Sequence, residues 1–150
     1  FVMTFTLEND TTVNAKYVGK IGTLSSEPEN PGEGGGVTPT PDPEPEIKDW
    51  VFTASLSGSD TEKTITMTGN DGTIVTARLT STWGKVGHGS YYLNEPGVNN
   101  ADNVTVNGEA IATENTSGTI TINYNSDMVI VDMTINGTKY VGTSTNKLFE

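Results

Sequence analysis

From Trp50 onward the chain alternates apolar and polar positions with a period of two. Ile120, Ile122 and Tyr124 fall on one face of a run whose other face is Thr119, Thr121 and Asn123. Val129, Val131, Met133 and Ile135 share a face against Asp132 and Thr134. Successive side chains of a strand point to opposite sides, so these patterns predict strands over Gly118–Tyr124 and Met128–Ile135. Trp50–Leu56, Lys63–Met67 and Thr73–Thr80 are rich in Val, Ile, Thr and aromatics, residues that suit a pleated surface. Asn70-Asp71-Gly72 separates the last two. Asn103–Val106 and Ala110–Thr113 meet across Asn107-Gly108, and Asn136-Gly137 turns Met128–Ile135 into Thr138–Thr143. Asn-Gly between alternating runs marks a hairpin, because both residues tolerate the positive φ of a tight turn.

One apolar and one Thr/Asn/Asp face per strand leave each sheet half-solvated, so the apolar faces must close on one another. The expected fold is all-β: an antiparallel β-sandwich over 49–150, with a small lipocalin-like β-barrel as the alternative. No segment sustains the 3.6-residue period of an amphipathic helix.

Between Ser25 and Lys48 the pattern vanishes. Gly34, Gly35 and Gly36 stand in a row, and Pro39, Pro41, Pro43 and Pro45 occupy alternate positions. Alternate residues there lack a backbone donor and have a fixed φ. Acids outnumber the single Lys48, and no aromatic is present to offset the ordering entropy. Residues 25–48 therefore read as an acidic Pro/Gly linker. It separates the 49–150 domain from a hairpin at 1–24, whose strands are expected over Val2–Leu7 and Thr12–Ile21.

That hairpin repeats the chain's last one. Met3-Thr4 matches Met133-Thr134, and Lys16-Tyr17-Val18-Gly19 matches Lys139-Tyr140-Val141-Gly142. The pattern predicts an internal repeat, with 1–24 the end of a preceding copy. Because 49–150 carries its own matching hairpin, residues 1–24 are expected to add to a sheet edge, in the same chain or a neighbour, rather than enter its core. The protein is then monomeric unless that hairpin pairs between chains.

KYVGKIGTLS followed by an acidic Pro/Gly linker, together with GSYYL, SGTITINY and VDMTINGTKYVG, resembles the tandem β-domains of Bacteroidetes exported surface lipoproteins. The resemblance implies export, a bacterial outer-surface location and a binding, adhesion or scaffold role. It carries over no catalytic residue.

The net charge of -11 argues against nucleic acid as a partner, since phosphate repels such a chain. The absence of cysteine removes disulfides, thiolate nucleophiles and Cys-ligated zinc. No apolar run is long enough for a transmembrane helix. His88 is the only histidine, which excludes multi-His metal sites. Glu95, Asp102, Glu109, Glu114 and Asp132 could in principle form a glycosidase pair, but only Glu95 has an aromatic setting, and the chain is expected not to be an enzyme. Asn99, Asn100 and Asp102 gather oxygen ligands in one loop and make a weak calcium candidate, although the spaced acidic pattern of a calcium loop is missing. No other cofactor is implied.

The strongest lead is the glycine-rich stretch holding Trp83, Lys85, His88, Tyr91, Tyr92, Asn94 and Glu95. Flat aromatic faces stack on sugar C–H groups, while amides and acids bond hydroxyls. Tyr91 and Tyr92 are adjacent, so one faces inward and the other outward. The competing expectation is that Trp83 and one tyrosine plug the core, as Trp50 is expected to do. The functional expectation is a non-catalytic surface module binding an extracellular glycan or protein. A spacer or display repeat, or an accessory domain of an upstream hydrolase, are the alternatives.

Overall fold

The structure is a computed structural model that describes residues 2–6, 12–16 and 44–150. The chain divides into two compact units, Phe1–Pro39 and Thr40–Glu150. In the first, β1 (Val2–Thr6) and β2 (Thr12–Lys16) form an antiparallel hairpin with Val2 opposite Lys16 and Thr6 opposite Thr12. Leu7, Tyr17, Val18, Ile21 and the linker up to Pro43 lie outside the described residues. Strands β1 and β2 lie within the expected Val2–Leu7 and Thr12–Ile21, but their register differs from that of the sequence counterpart. Met133 faces Tyr140, whereas Met3 faces Ala15, two positions short of Tyr17.

The second unit contains β3 (Glu46–Asp49), β4 (Phe52–Gly58), β5 (Glu62–Gly69), β6 (Ile74–Thr80), β7 (Gly89–Leu93) and β8 (Asn100–Val106). These are followed by β9 (Glu109–Ala110), a 3-10 turn at Thr113–Asn115, β10 (Thr116–Ile122), β11 (Met128–Ile135) and β12 (Thr138–Lys147). Hydrogen bonding runs β11-β10-β7-β8-β6-β5-β4-β12, and β12 returns to β11. The eight strands thus close into a barrel.

The sandwich expectation is corrected, and the barrel alternative describes the fold. The apolar faces close on one another by curling a single sheet rather than stacking two. The ring is not a simple meander, because β7 lies between β10 and β8 and runs parallel to β8, while β12 runs parallel to β4. The β7–β8 pairing spans only Tyr92–Asn100 and Leu93–Ala101. That shortness lets six residues, 94–99, make the connection, with Asn94 and Gly97 both at positive φ.

The barrel is filled. Ile65, Met67, Val75, Leu79, Ile120, Ile122, Val129 and Val131 are fully buried, and the faces assigned to Ile120/Ile122 and Val129–Ile135 are the interior ones. Burying each such side chain contributes roughly 1.5–3 kcal/mol. The outer wall carries Thr53, Ser55, Thr64, Thr66, Thr76, Arg78 and Asp132. This is the reverse of a lipid-facing barrel, whose outer band is apolar. No helix among the described residues is long and apolar enough to cross a membrane.

Several expected boundaries move, three of them with consequences for the site or the closure. Tyr124 was assigned to the buried face but is 73% exposed, because β10 ends at Ile122 and Asn123 opens a turn closed by its N–H to the Met128 carbonyl (2.9 Å). The strand expected over Ala110–Thr113 stops at Ala110 and gives way to the 3-10 turn. Glu46 to Lys48, placed in the linker, belong to β3, which pairs in parallel with the first half of β12.

Trp50, 1% exposed, fills one end of the barrel. Its ring stacks on Phe52 (4.7 Å, 23°) and meets Tyr140 edge-on (5.2 Å, 74°), and its backbone N–H donates to the Val141 carbonyl (2.8 Å). Two glycines make room for it. A Cβ on Gly142 would lie 2.1 Å from the Trp50 carbonyl oxygen, and one on Gly69 would lie 2.3 Å from Trp50 Nε1. The Tyr-Val-Gly part of the repeated quartet is, in this barrel, the socket for Trp50. Lys48, with its Nζ 5.5 Å from the centre of the Tyr140 ring, also bonds Asp71 and ties β3 to the β5–β6 turn.

Candidate functional site

The loops 59–61, 81–88 and 123–127 and the residues after Lys147 gather at the end of the barrel opposite Trp50. Val86 N–H donates to the Asp60 carbonyl (2.8 Å), and Leu148 N–H donates to that of Asp127 (2.8 Å). His88 Nε2 donates to Asp127 Oδ1 across 39 residues of sequence.

His88 is the hinge of this end. Its ring stacks on Tyr124 (4.9 Å, 25°) and meets Phe149 edge-on (5.0 Å, 65°). Its backbone position is set by Tyr91, whose phenol accepts from Gly87 N–H and donates to the Gly87 carbonyl, both at 2.9 Å. Burial pushes the Tyr91 phenol above its ordinary pKa, against a smaller opposing effect of the Gly87 hydrogen bond. Tyr91 is thus the inward member of the tyrosine pair, and Tyr92, 41% exposed, is the outward one on the β7 wall.

Trp83 does not plug the core. It is 88% exposed, carried out on a tight turn in which its own N–H donates to Ser81 Oγ (3.2 Å) and Gly84 N–H to the Ser81 carbonyl (3.4 Å). Asn99 holds the base of that turn, with Oδ1 accepting from Thr82 N–H (3.1 Å) and Thr82 Oγ1 (3.2 Å). Lys85, on the same loop, lies 3.4 Å from Asp60.

The rest of the predicted stretch serves the scaffold. Asn94 bonds Thr116 Oγ1 and the Thr113 carbonyl (3.3 Å). The Glu95 backbone donates to Asn100 Oδ1 (2.8 Å), leaving its carboxylate exposed on the 94–99 connection. The structure therefore brings His88 together with Tyr124, Asp127 and Phe149, none of which the sequence marked as a site residue, and places Trp83 and Lys85 on the same end. It leaves Tyr92, Asn94 and Glu95 on the β7 strand and the connection that follows it.

The calcium candidates are occupied internally. Asn99 and Asn100 use their Oδ1 atoms as above, and Asn100 Nδ2 donates to Asp102 Oδ2 (3.0 Å). Arg78 grips Asp102 through two bonds, Nε to Oδ1 at 2.7 Å and a terminal nitrogen to Oδ2 at 2.8 Å. That carboxylate raises the guanidinium above its ordinary value. Among the described residues no group of three His, Cys, Asp or Glu is disposed to hold a metal. Of the acids weighed for hydrolysis, Asp132 sits 3.2 Å from Lys139 Nζ and Asp102 is held by Arg78.

A shallow groove of about 260 Å³ lies on the barrel wall beside Trp50, lined by Val51, Phe52, Thr53, Thr68, Gly69, Asn70 and Thr145. It contains none of the predicted site residues. It is an open sheet surface smaller than the usual ligand cavity, so the aromatic end is the better candidate.

Comparison of the chain with protein-family models, with curated proteins and with solved structures found no match.

Proposed function

We propose that the barrel is a non-catalytic binding module of an exported surface protein, and that it takes a saccharide at the end bearing Trp83, His88 and Tyr124. One observation carries this reading: two large aromatics stand exposed at a single barrel end, Trp83 at 88% and Tyr124 at 73%, in a domain whose other tryptophan is sealed inside. Exposed aromatics gathered at one end mark an interaction surface, and their flat faces suit sugar C–H groups. Tyr124 is also held rigidly, its ring seated on His88, which Asp127 anchors in turn. A pre-positioned ring loses little entropy on binding. Asn123, Asn125 and Ser126 flank it and offer the amide and hydroxyl groups that sugar hydroxyls need.

The resemblance to tandem β-domains of Bacteroidetes surface lipoproteins supports an extracellular glycan over a cytosolic ligand. The filled interior favours a second reading, a spacer repeat that displays a neighbouring domain, because no cavity for a ligand is needed in such a role. A glycan array separates the two. Binding that is lost in both Trp83→Ala and Tyr124→Ala supports the module. Binding of nothing, or binding unaffected by either change, supports the spacer.

A further inference from the structure

Two walls of the barrel are short: β7–β8 has two registered pairs, held backbone to backbone, whereas the β4–β12 seam bonds largely through side chains. β4 and β5 pair along their whole length, from Phe52–Gly69 to Gly58–Lys63. Between β12 and β4 the only registered backbone pair is Ser144 with Phe52. The reason is a bulge in β12. Ile130 faces Thr143 but Met128 faces Lys147, so two steps along β11 answer four along β12. Three consecutive side chains take over the bonding of the displaced backbone. Ser144 Oγ accepts from Val129 N–H (2.9 Å) and donates to the Asn146 carbonyl (2.8 Å). Thr145 Oγ1 donates to the Phe52 carbonyl (3.3 Å). Asn146 does the most: its Oδ1 accepts from Ala54 N–H (2.8 Å), and its Nδ2 donates to the Ala54 carbonyl (2.9 Å). The carboxamide presents the donor and acceptor of a missing peptide unit.

We propose that the barrel opens at this seam and that Asn146 is its latch. A side chain has rotamers to escape into that a ladder of peptides does not, so the β4–β12 contact is the low-stability end of the ring. Release of Asn146 frees both polar groups of Ala54 and uncovers Phe52 and Ala54, which are core residues, while β5, β6 and β8 remain paired. The device gives a filled barrel a route for reaching its interior or offering a strand edge without global unfolding.

Residue-resolved hydrogen exchange on the full chain tests this. In the unaltered protein the Ala54 amide should exchange at least tenfold faster than those of Ile65 and Ala77. Asn146→Ala removes both bonds and should accelerate Ala54 by roughly ten- to a hundredfold, with β5 and β6 unchanged. Asn146→Asp keeps the acceptor but loses the donor and should accelerate it less. An Ala54 amide as slow as Ile65 in the unaltered protein overturns the proposal without any variant. So does a uniform acceleration of every strand in the variants.

Discussion

The two tryptophans sit at opposite ends of one barrel and were made for different tasks. Trp50 is stacked, edge-packed and hydrogen-bonded through its backbone in a socket that two glycines keep open. Trp83 rides a four-residue turn, Ser81–Gly84, into solvent, fastened only through its backbone and neighbours. The Trp50 end carries the tight Asn-Gly hairpins, with Asn107 and Asn136 both at positive φ. The Trp83 end carries the longer loops and the His88–Tyr124 stack. A rigid, sealed end and a decorated end on one scaffold are what a display domain requires, because the loops are free to vary without disturbing the core.

The largest difference expected between the ends is in stability. Trp50→Ala should cost roughly 3–5 kcal/mol, because the lost ring leaves a cavity that Phe52 and Tyr140 cannot close. Trp83→Ala should change stability by no more than about 0.5 kcal/mol. Urea titration of both variants checks this, and similar midpoints would erase the distinction between the ends.

Acid should loosen the Trp50 end selectively. The Lys48 ammonium and the Thr73 N–H hold the Asp71 carboxyl well below the usual carboxylate range, and Asp71 in turn raises Lys48. A depressed folded pKa stabilises above the ordinary carboxylate value, about 4, and that contribution is lost as pH falls below it. Both groups are solvent-screened, so the effect is small. Asp71→Asn should remove this part of the acid sensitivity of the melting temperature. A variant with the same pH profile as the parent would show that the Lys48–Asp71 tie does not contribute.

Much of this architecture was legible because it is local. The faces of Ile120, Ile122 and Val129–Ile135 follow from alternation, and the Asn107-Gly108 and Asn136-Gly137 turns from the positive φ they require. Closure was not legible, because β12 reaches β4 through side chains of Ser144, Thr145 and Asn146, and Asn146 lies 92 residues from Ala54. Nothing in an alternating pattern distinguishes a curled sheet from two stacked ones. Strand β7 was hidden within glycines, and Tyr124 was misplaced by one step of alternation too many. Of the aromatic end, Trp83 and His88 were found by composition. Tyr124, Asp127 and Phe149 come from distant segments and are joined only by the fold, though an aromatic between two asparagines in a turn was an available sign.

The smallest expected effect is that of calcium. With the oxygens of Asn99, Asn100 and Asp102 already bonded within the protein, millimolar calcium should leave the melting temperature unchanged. A dose-dependent rise would mean that the loop rearranges to bind the ion in the native state.

The division of labour between the ends is tested most directly by the two indole Nε1–H signals in a nitrogen-15 correlation spectrum. A saccharide identified on the array is titrated into the full chain while both are followed. The Trp83 signal should move to saturation together with the amides of His88 and Tyr124, while the Trp50 signal stays fixed. Movement of the Trp50 signal with Trp83 unchanged would place the ligand at the sealed end and contradict that division.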